Sequence, residues 1–180
     1  MVEDDCFEWI CGKQNYRSSD AAYCGRLIVT NDLFDEALDW GVKKPERFAF
    51  RVTWALEHAF SYSPARLFDY CERITDNYLQ ANYFGVIRLY SKMMVRLLSA
   101  PKTDLSSDCV DRIVDVTFTR LIDSAIPPSV RVWCMDILCE LPHQESWIDE
   151  EISEVLKWFR QSHVPSLRSH AEMMCRKVGL

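Results

Sequence analysis

Glu57 and His58, beside Trp54, come nearest in this chain to an acid–base pair. A general base needs a pocket and a shifted pKa, and neither is legible here. Consecutive helical positions also point about 100° apart, so the carboxylate and the imidazole would not serve one reacting atom. His143, His163 and His170 are the next candidates, as zinc ligands. Zinc needs three convergent ligands, and Pro165 interrupts the seven-residue step from His163 to His170. Eight cysteines stand at 6, 11, 24, 71, 109, 134, 139 and 175, without a CxxC pair. The five-residue steps from Cys6 to Cys11 and from Cys134 to Cys139 suit ligands on one helical face poorly. Cys109, Cys134 and Cys139 lie among apolar residues and are expected as reduced, buried thiols, which points to a reducing compartment, the cytoplasm. The chain carries no phosphate-binding glycine loop, GxSxG elbow or HExxH pair. It therefore offers no catalytic residue, no metal and no cofactor, and the expectation is a protein that is not an enzyme.

The stronger pattern is a ladder of arginines. Arg51, Arg88, Arg131 and Arg168 recur at intervals of 37, 43 and 37 (51 to 88, 88 to 131, 131 to 168). Each stands early in an apolar segment, most fully in Pro127 to Leu141, PPSVRVWCMDILCEL. Degenerate self-similarity on this scale predicts a solenoid of helix pairs. An arginine at one place in every repeat has a structural reading. It pairs with an acidic residue, for which Asp39, Asp69, Asp111 and Asp136 are available, or bonds helix-end carbonyls of a neighbour and sets the stacking. The functional reading makes the four arginines a partner-binding face for an anionic group.

The elements that must carry this ladder are helices. The chain has 180 residues, 48% of them hydrophobic and 27% charged, enough to bury a core, and its 5 glycines are too few for a turn-rich β fold. Phe7, Trp9 and Ile10 form the apolar side of a first helix that Gly12 ends. Asp20 is placed to cap a helix through Val29, and Thr30 or Asn31 a second that Gly41 stops as a C′ glycine. Pro45 suits the first turn of a helix to about Tyr62, and Ser63-Pro64 opens one partner helix over ARLFDYCERITDNYL. A third hairpin begins near Asn82, its first helix ended by Ala100-Pro101 and its second capped by Asp104 or Ser106. Pro127 opens the fourth, Pro142 closes its first helix, Trp147 to Phe159 is the second, and Pro165 starts the last helix. Trp9, Trp40, Trp54, Trp133, Trp147 and Trp158, with Met93, Met94, Met173 and Met174, are expected in the core.

One domain over 1–180 follows, with 1–41 as capping helices and 45–180 as the repeats. The acidic start MVEDDCFEW does not read as a signal peptide, and no apolar run approaches the ~20 residues that span a bilayer.

Pro45-Glu46-Arg47-Phe48, Arg51 to Glu57 (RVTWALE), Ser129-Val130-Arg131-Val132 and Ser166-Leu167-Arg168-Ser169 together resemble a family of short bacterial HEAT-like repeat proteins of the Bacteroidetes type. The resemblance runs from about Asn31 to Leu180 and implies an all-α fold, a right-handed α-α superhelix of HEAT/ARM-like antiparallel helix pairs. Some members have been labelled adenylosuccinate lyase. This chain is far shorter than such a lyase and lacks its glycine-rich signature loop. The resemblance implies no activity.

The expected function is a binding or scaffold module whose partner is a protein or peptide. The alternative is a nucleic-acid-binding repeat, similar to HEAT-like alkylpurine DNA glycosylases, with Arg51, Arg88, Arg131, Arg168, Trp54 and Trp133 on its face. A formal net charge of −6 opposes that alternative.

Overall fold

A computed structural model describes residues 11–100, 105–141 and 146–180, the last with side chains from Ile148 onward. Those residues form helices and no strand: α1 (Ser18–Thr30), α2 (Phe34–Lys43), α3 (Glu46–Tyr62), α4 (Arg66–Asp69), α5 (Cys71–Gln80), α6 (Phe84–Leu98), α7 (Ser107–Ile122), α8 (Pro128–Glu140), α9 (Ser146–Phe159) and α10 (Pro165–Val178). Phe7, Trp9 and Ile10, together with Cys6, Pro101, Asp104, Pro142, His143 and the Trp147 side chain, lie outside the described residues. The chain divides into two compact units, 1–93 and 94–180. α6 belongs to the first as far as Met93.

In the first unit α1 packs on α3, α2 on α3, and α2 on α5. In the second α7 packs on α8, α9 on α10, and α8 on α10. All of these pairs but α2 with α5 join a helix to its sequence neighbour or to the helix after that, which is how stacked helix pairs bury one apolar face apiece. Prolines set the starts. Pro128 and Pro165 are the first residues of α8 and α10, where a missing N–H costs no hydrogen bond. Pro45 stands one place earlier than expected, as the N-cap of α3. Ser106 caps α7, its hydroxyl accepting from the Cys109 N–H at 3.3 Å.

Several expectations are corrected. Thr30 is the last residue of α1 and Asn31 its C-cap, so neither caps α2, whose N-cap is Leu33. Asp20 lies inside α1, which begins at Ser18; its carboxylate accepts the Arg17 N–H at 2.8 Å. The helix expected after Pro64 is two, because Tyr70, at φ −107° and ψ 19°, interrupts it between α4 and α5. Gly41 is inside α2 and does not stop it. A Cβ there would sit 2.7 Å from the Tyr90 hydroxyl and 2.9 Å from Thr53 Oγ1, so the position demands space and not a left-handed turn. The hydroxyl it admits is part of a buried polar cluster. Asn77 Nδ2 donates to it at 2.8 Å and to the Leu38 carbonyl at 3.0 Å, and Thr53 also bonds it. Burial pushes the Tyr90 phenol up to about 12.

The core is built from phenyl rings and aliphatic groups more than from indoles. Tyr78, Tyr90, Phe34, Phe60 and Phe159 are fully buried, with Met93, Met94 and Met174. Trp40, Trp54 and Trp133 are half-buried, while Trp158 and Met173 are exposed, against the expectation that they pack inside. Among the described residues no helix is long and apolar enough to cross a membrane.

Candidate functional site

The four ladder arginines stand in the first two turns of α3, α6, α8 and α10. Their surroundings divide them two and two. Arg51 is 7% exposed, and its guanidinium donates to the carbonyls of Cys11 (2.8 Å), Lys13 and Gln14 (3.5 Å), just ahead of α1. It also lies over the Tyr16 ring, 5.0 Å from the centroid, while the Tyr16 hydroxyl donates back to the Arg51 carbonyl at 3.2 Å. Burial, and then the neighbouring Arg47 cation, pull its pKa below the ordinary guanidinium value. Arg131, likewise 7% exposed, donates from Nε to the Leu121 carbonyl in the last turn of α7 at 2.7 Å. Helix ends leave such carbonyls without an intrahelical partner, and a guanidinium is suited to take them up.

Arg88 is half-buried and Arg168 exposed. Neither makes a side-chain hydrogen bond or ion pair among the described residues. Nor do the expected aspartates answer the ladder. Asp39 holds Arg73 and Lys43, Asp69 holds Arg66, and Asp136 lies 3.1 Å from His170 Nε2. The aspartates of α2 and of the turn before it serve α4 and α5 instead: Arg66 pairs with Asp32, and Arg73 bridges Asp35 and Asp39.

The remaining sequence candidates are dispersed. Glu57 forms an ion pair with Lys92 at 2.9 Å. His58 lies between Trp54 and Tyr62 in a row of rings on α3, at centroid distances of 6.4 and 6.2 Å. His163 is exposed and His170 half-buried against Asp136. Among the described residues no three of His, Cys, Asp and Glu converge. Their seven cysteines are all free thiols, five of them buried.

One place in the second unit joins a ladder arginine to open space. A cavity of about 410 Å³ is lined by Ile122 at the end of α7, Arg131 on α8, Trp158 and Phe159 at the end of α9, and His163 and Val164 ahead of α10. Trp158 is 59% exposed and Ile122 57%, so two large apolar groups stand in water at its mouth. Trp158 meets the Phe159 ring edge-on at 4.6 Å, and Arg131 lies over Phe159, 5.0 Å from its centroid. With Nε held by Leu121, the terminal nitrogens of Arg131 make no hydrogen bond among the described residues. Burial pulls this guanidinium below its ordinary value too, the Asp123 charge opposing the shift. Sequence reasoning missed the site by assigning Trp158 to the core. The α9 stripe runs Ile148, Ile152, Leu156, Phe159, and Trp158 falls beside it, which was the available signal.

The lining also holds the polar side chains of Ser124, Gln161 and Ser162. Binding a segment is what this arrangement can do chemically; it holds no paired acid and base. A nucleic-acid face gripping through Arg51 is not formed, since that guanidinium is covered and committed to carbonyls. A family model described as a HEAT repeat domain matches residues 14–178. No curated protein matches the chain.

Proposed function

The chain belongs to the HEAT repeat domain family, and on that premise we propose that it is a non-enzymatic scaffold that holds a protein or peptide segment. The observation that carries this reading is the Arg131 cavity, where Trp158 and Ile122 remain in water beside a guanidinium with donors to spare. Indole, aliphatic and arginine groups gathered around a concavity are the usual anchors of protein interfaces. Arg88 and Arg168, the ladder members that hold no carbonyl, are assigned to partner contact, and Arg51 to the architecture. The helices before Pro45 act as the cap of the repeats that follow. The free thiols support a reducing compartment, the cytoplasm, as the place of action.

A nuclease-treated pull-down from source cells tests the reading, with wild type beside an Arg88→Glu/Arg168→Glu variant and a Trp158→Ser variant of unchanged melting temperature. A protein retained by wild type and depleted severalfold by either variant is the expected result. Equal retention by all three, or none by wild type, overturns it.

A further inference from the structure

The chemistry of the Arg131 cavity says what kind of segment fits it. Arg131 and His163 are the charged or titratable groups of its lining, and no carboxylate belongs to it. The nearest acid in sequence, Asp123, whose charge reaches Arg131 without an ion pair, accepts the Ala125 N–H on its Oδ1 at 2.8 Å. The guanidinium is anchored through Nε and lies over the Phe159 ring, on a residue 7% exposed, so its free end is held in one place. A pre-positioned, partly desolvated guanidinium is matched by a carboxylate, which can take both terminal nitrogens at once. Beside it, Ile122, Trp158 and Val164 supply exposed apolar surface for one bulky side chain. The volume lies within the range of sites that take small ligands or short peptide anchors.

We propose that this cavity binds an acidic peptide segment in which a leucine or phenylalanine stands next to an aspartate or glutamate, the carboxylate on Arg131 and the apolar side chain against Trp158. The inference rests on the binding-module reading above and adds the chemistry of the partner. Because the chain as a whole carries −6, attraction of an acidic segment is local to the cavity and not a property of the surface at large.

The test uses the full chain and defined peptides, acetylated and amidated so that the side chain carries the sole charge. A Gly-Leu-Asp-Gly probe is titrated while the Trp158 indole N–H resonance is followed, beside its Leu-Asn counterpart and a Leu-Asn peptide with a free C-terminal acid. The Leu-Asp probe is expected to shift that resonance saturably and to bind at least ~10-fold more tightly than Leu-Asn, about 1.4 kcal/mol. Arg131→Gln should abolish the difference between the two. Should that variant fail to fold, Ile122→Ser, altering an exposed wall, should weaken Leu-Asp binding severalfold. Equal binding of the Asp and Asn probes overturns the carboxylate assignment, and so does a preference for the free-acid peptide, which would mean capture of a chain terminus. A resonance unmoved by any probe overturns the proposal, while the pull-down decides the scaffold reading separately.

Discussion

Arg51 and Arg131 show how one residue type at one repeat position can be architectural. A buried guanidinium stays charged, so the carbonyls around Arg51 receive charge-assisted bonds, each worth about 1.5–3 kcal/mol when made to a charged group. Arg51→Ala removes them together and leaves buried acceptors with no replacement donor. We expect a loss of about 2–4 kcal/mol in urea unfolding followed by tryptophan fluorescence. Arg51→Lys should restore less than half, because one ammonium lacks the fork that spans the three carbonyls. A change below ~0.5 kcal/mol in the alanine variant would remove Arg51 from this role. The ladder itself was legible from its intervals and from the apolar segments that frame it. Its division into tied and open members was not. Which carbonyl lies under a guanidinium depends on how far two helices from different repeats slide past each other, and nothing local encodes that distance. The same limit applies to Gly41. A glycine eight residues into a short helix matches the rule for a C′ stop, yet the atom it makes room for is the hydroxyl of Tyr90, far along the chain.

At the scale of elements, prolines and caps carried most of the information. Pro128, Pro165 and Ser106 mark starts that depend on local hydrogen bonding alone, and there sequence and structure agree. The break at Tyr70 depends on Arg66 and Asp35, which bond its hydroxyl from α4 and α2, so the residues around it still read as one continuous helix. Helix spacing makes a sharper case. Gly25 lies in the middle of α1, where a Cβ would meet the Ala55 carbonyl at 2.8 Å, His58 Cβ at 2.7 Å and the Ala59 nitrogen at 3.0 Å. Two of these obstacles are α3 backbone and cannot rotate aside. Alanine normally favours a helix over glycine by about 0.5–1 kcal/mol, whereas overpacking of this kind costs about 1–3. The clash should win, and Gly25→Ala should lose about 1–2 kcal/mol in thermal or urea unfolding. A stabilised variant would show that α1 can lift from α3 freely, and the close approach would then not be what holds this pair.

At the scale of the whole molecule, the sign of the charge is the strongest constraint on partners. Association with nucleic acid draws on several arginines or lysines that neutralise phosphates and release counterions. Here the net charge is −6, and Arg51 is covered. Arg66 and Arg73 are held by the carboxylates of Asp32, Asp35 and Asp39, which would have to be displaced before a phosphate could replace them. A fluorescently labelled duplex of roughly 20 base pairs, titrated at about 0.15 M salt, should therefore bind more weakly than ~10⁻⁴ M, the loose end of ordinary non-specific affinity. The measurement is worth repeating at low salt, because the two outcomes differ in kind. A protein-binding scaffold with a locally basic cavity should show at most a faint, salt-erased signal. Affinity below ~10⁻⁶ M, falling steeply as salt rises, would mean that a phosphate-binding surface forms despite the net charge, and the acidic-peptide reading of the Arg131 cavity would have to compete with it.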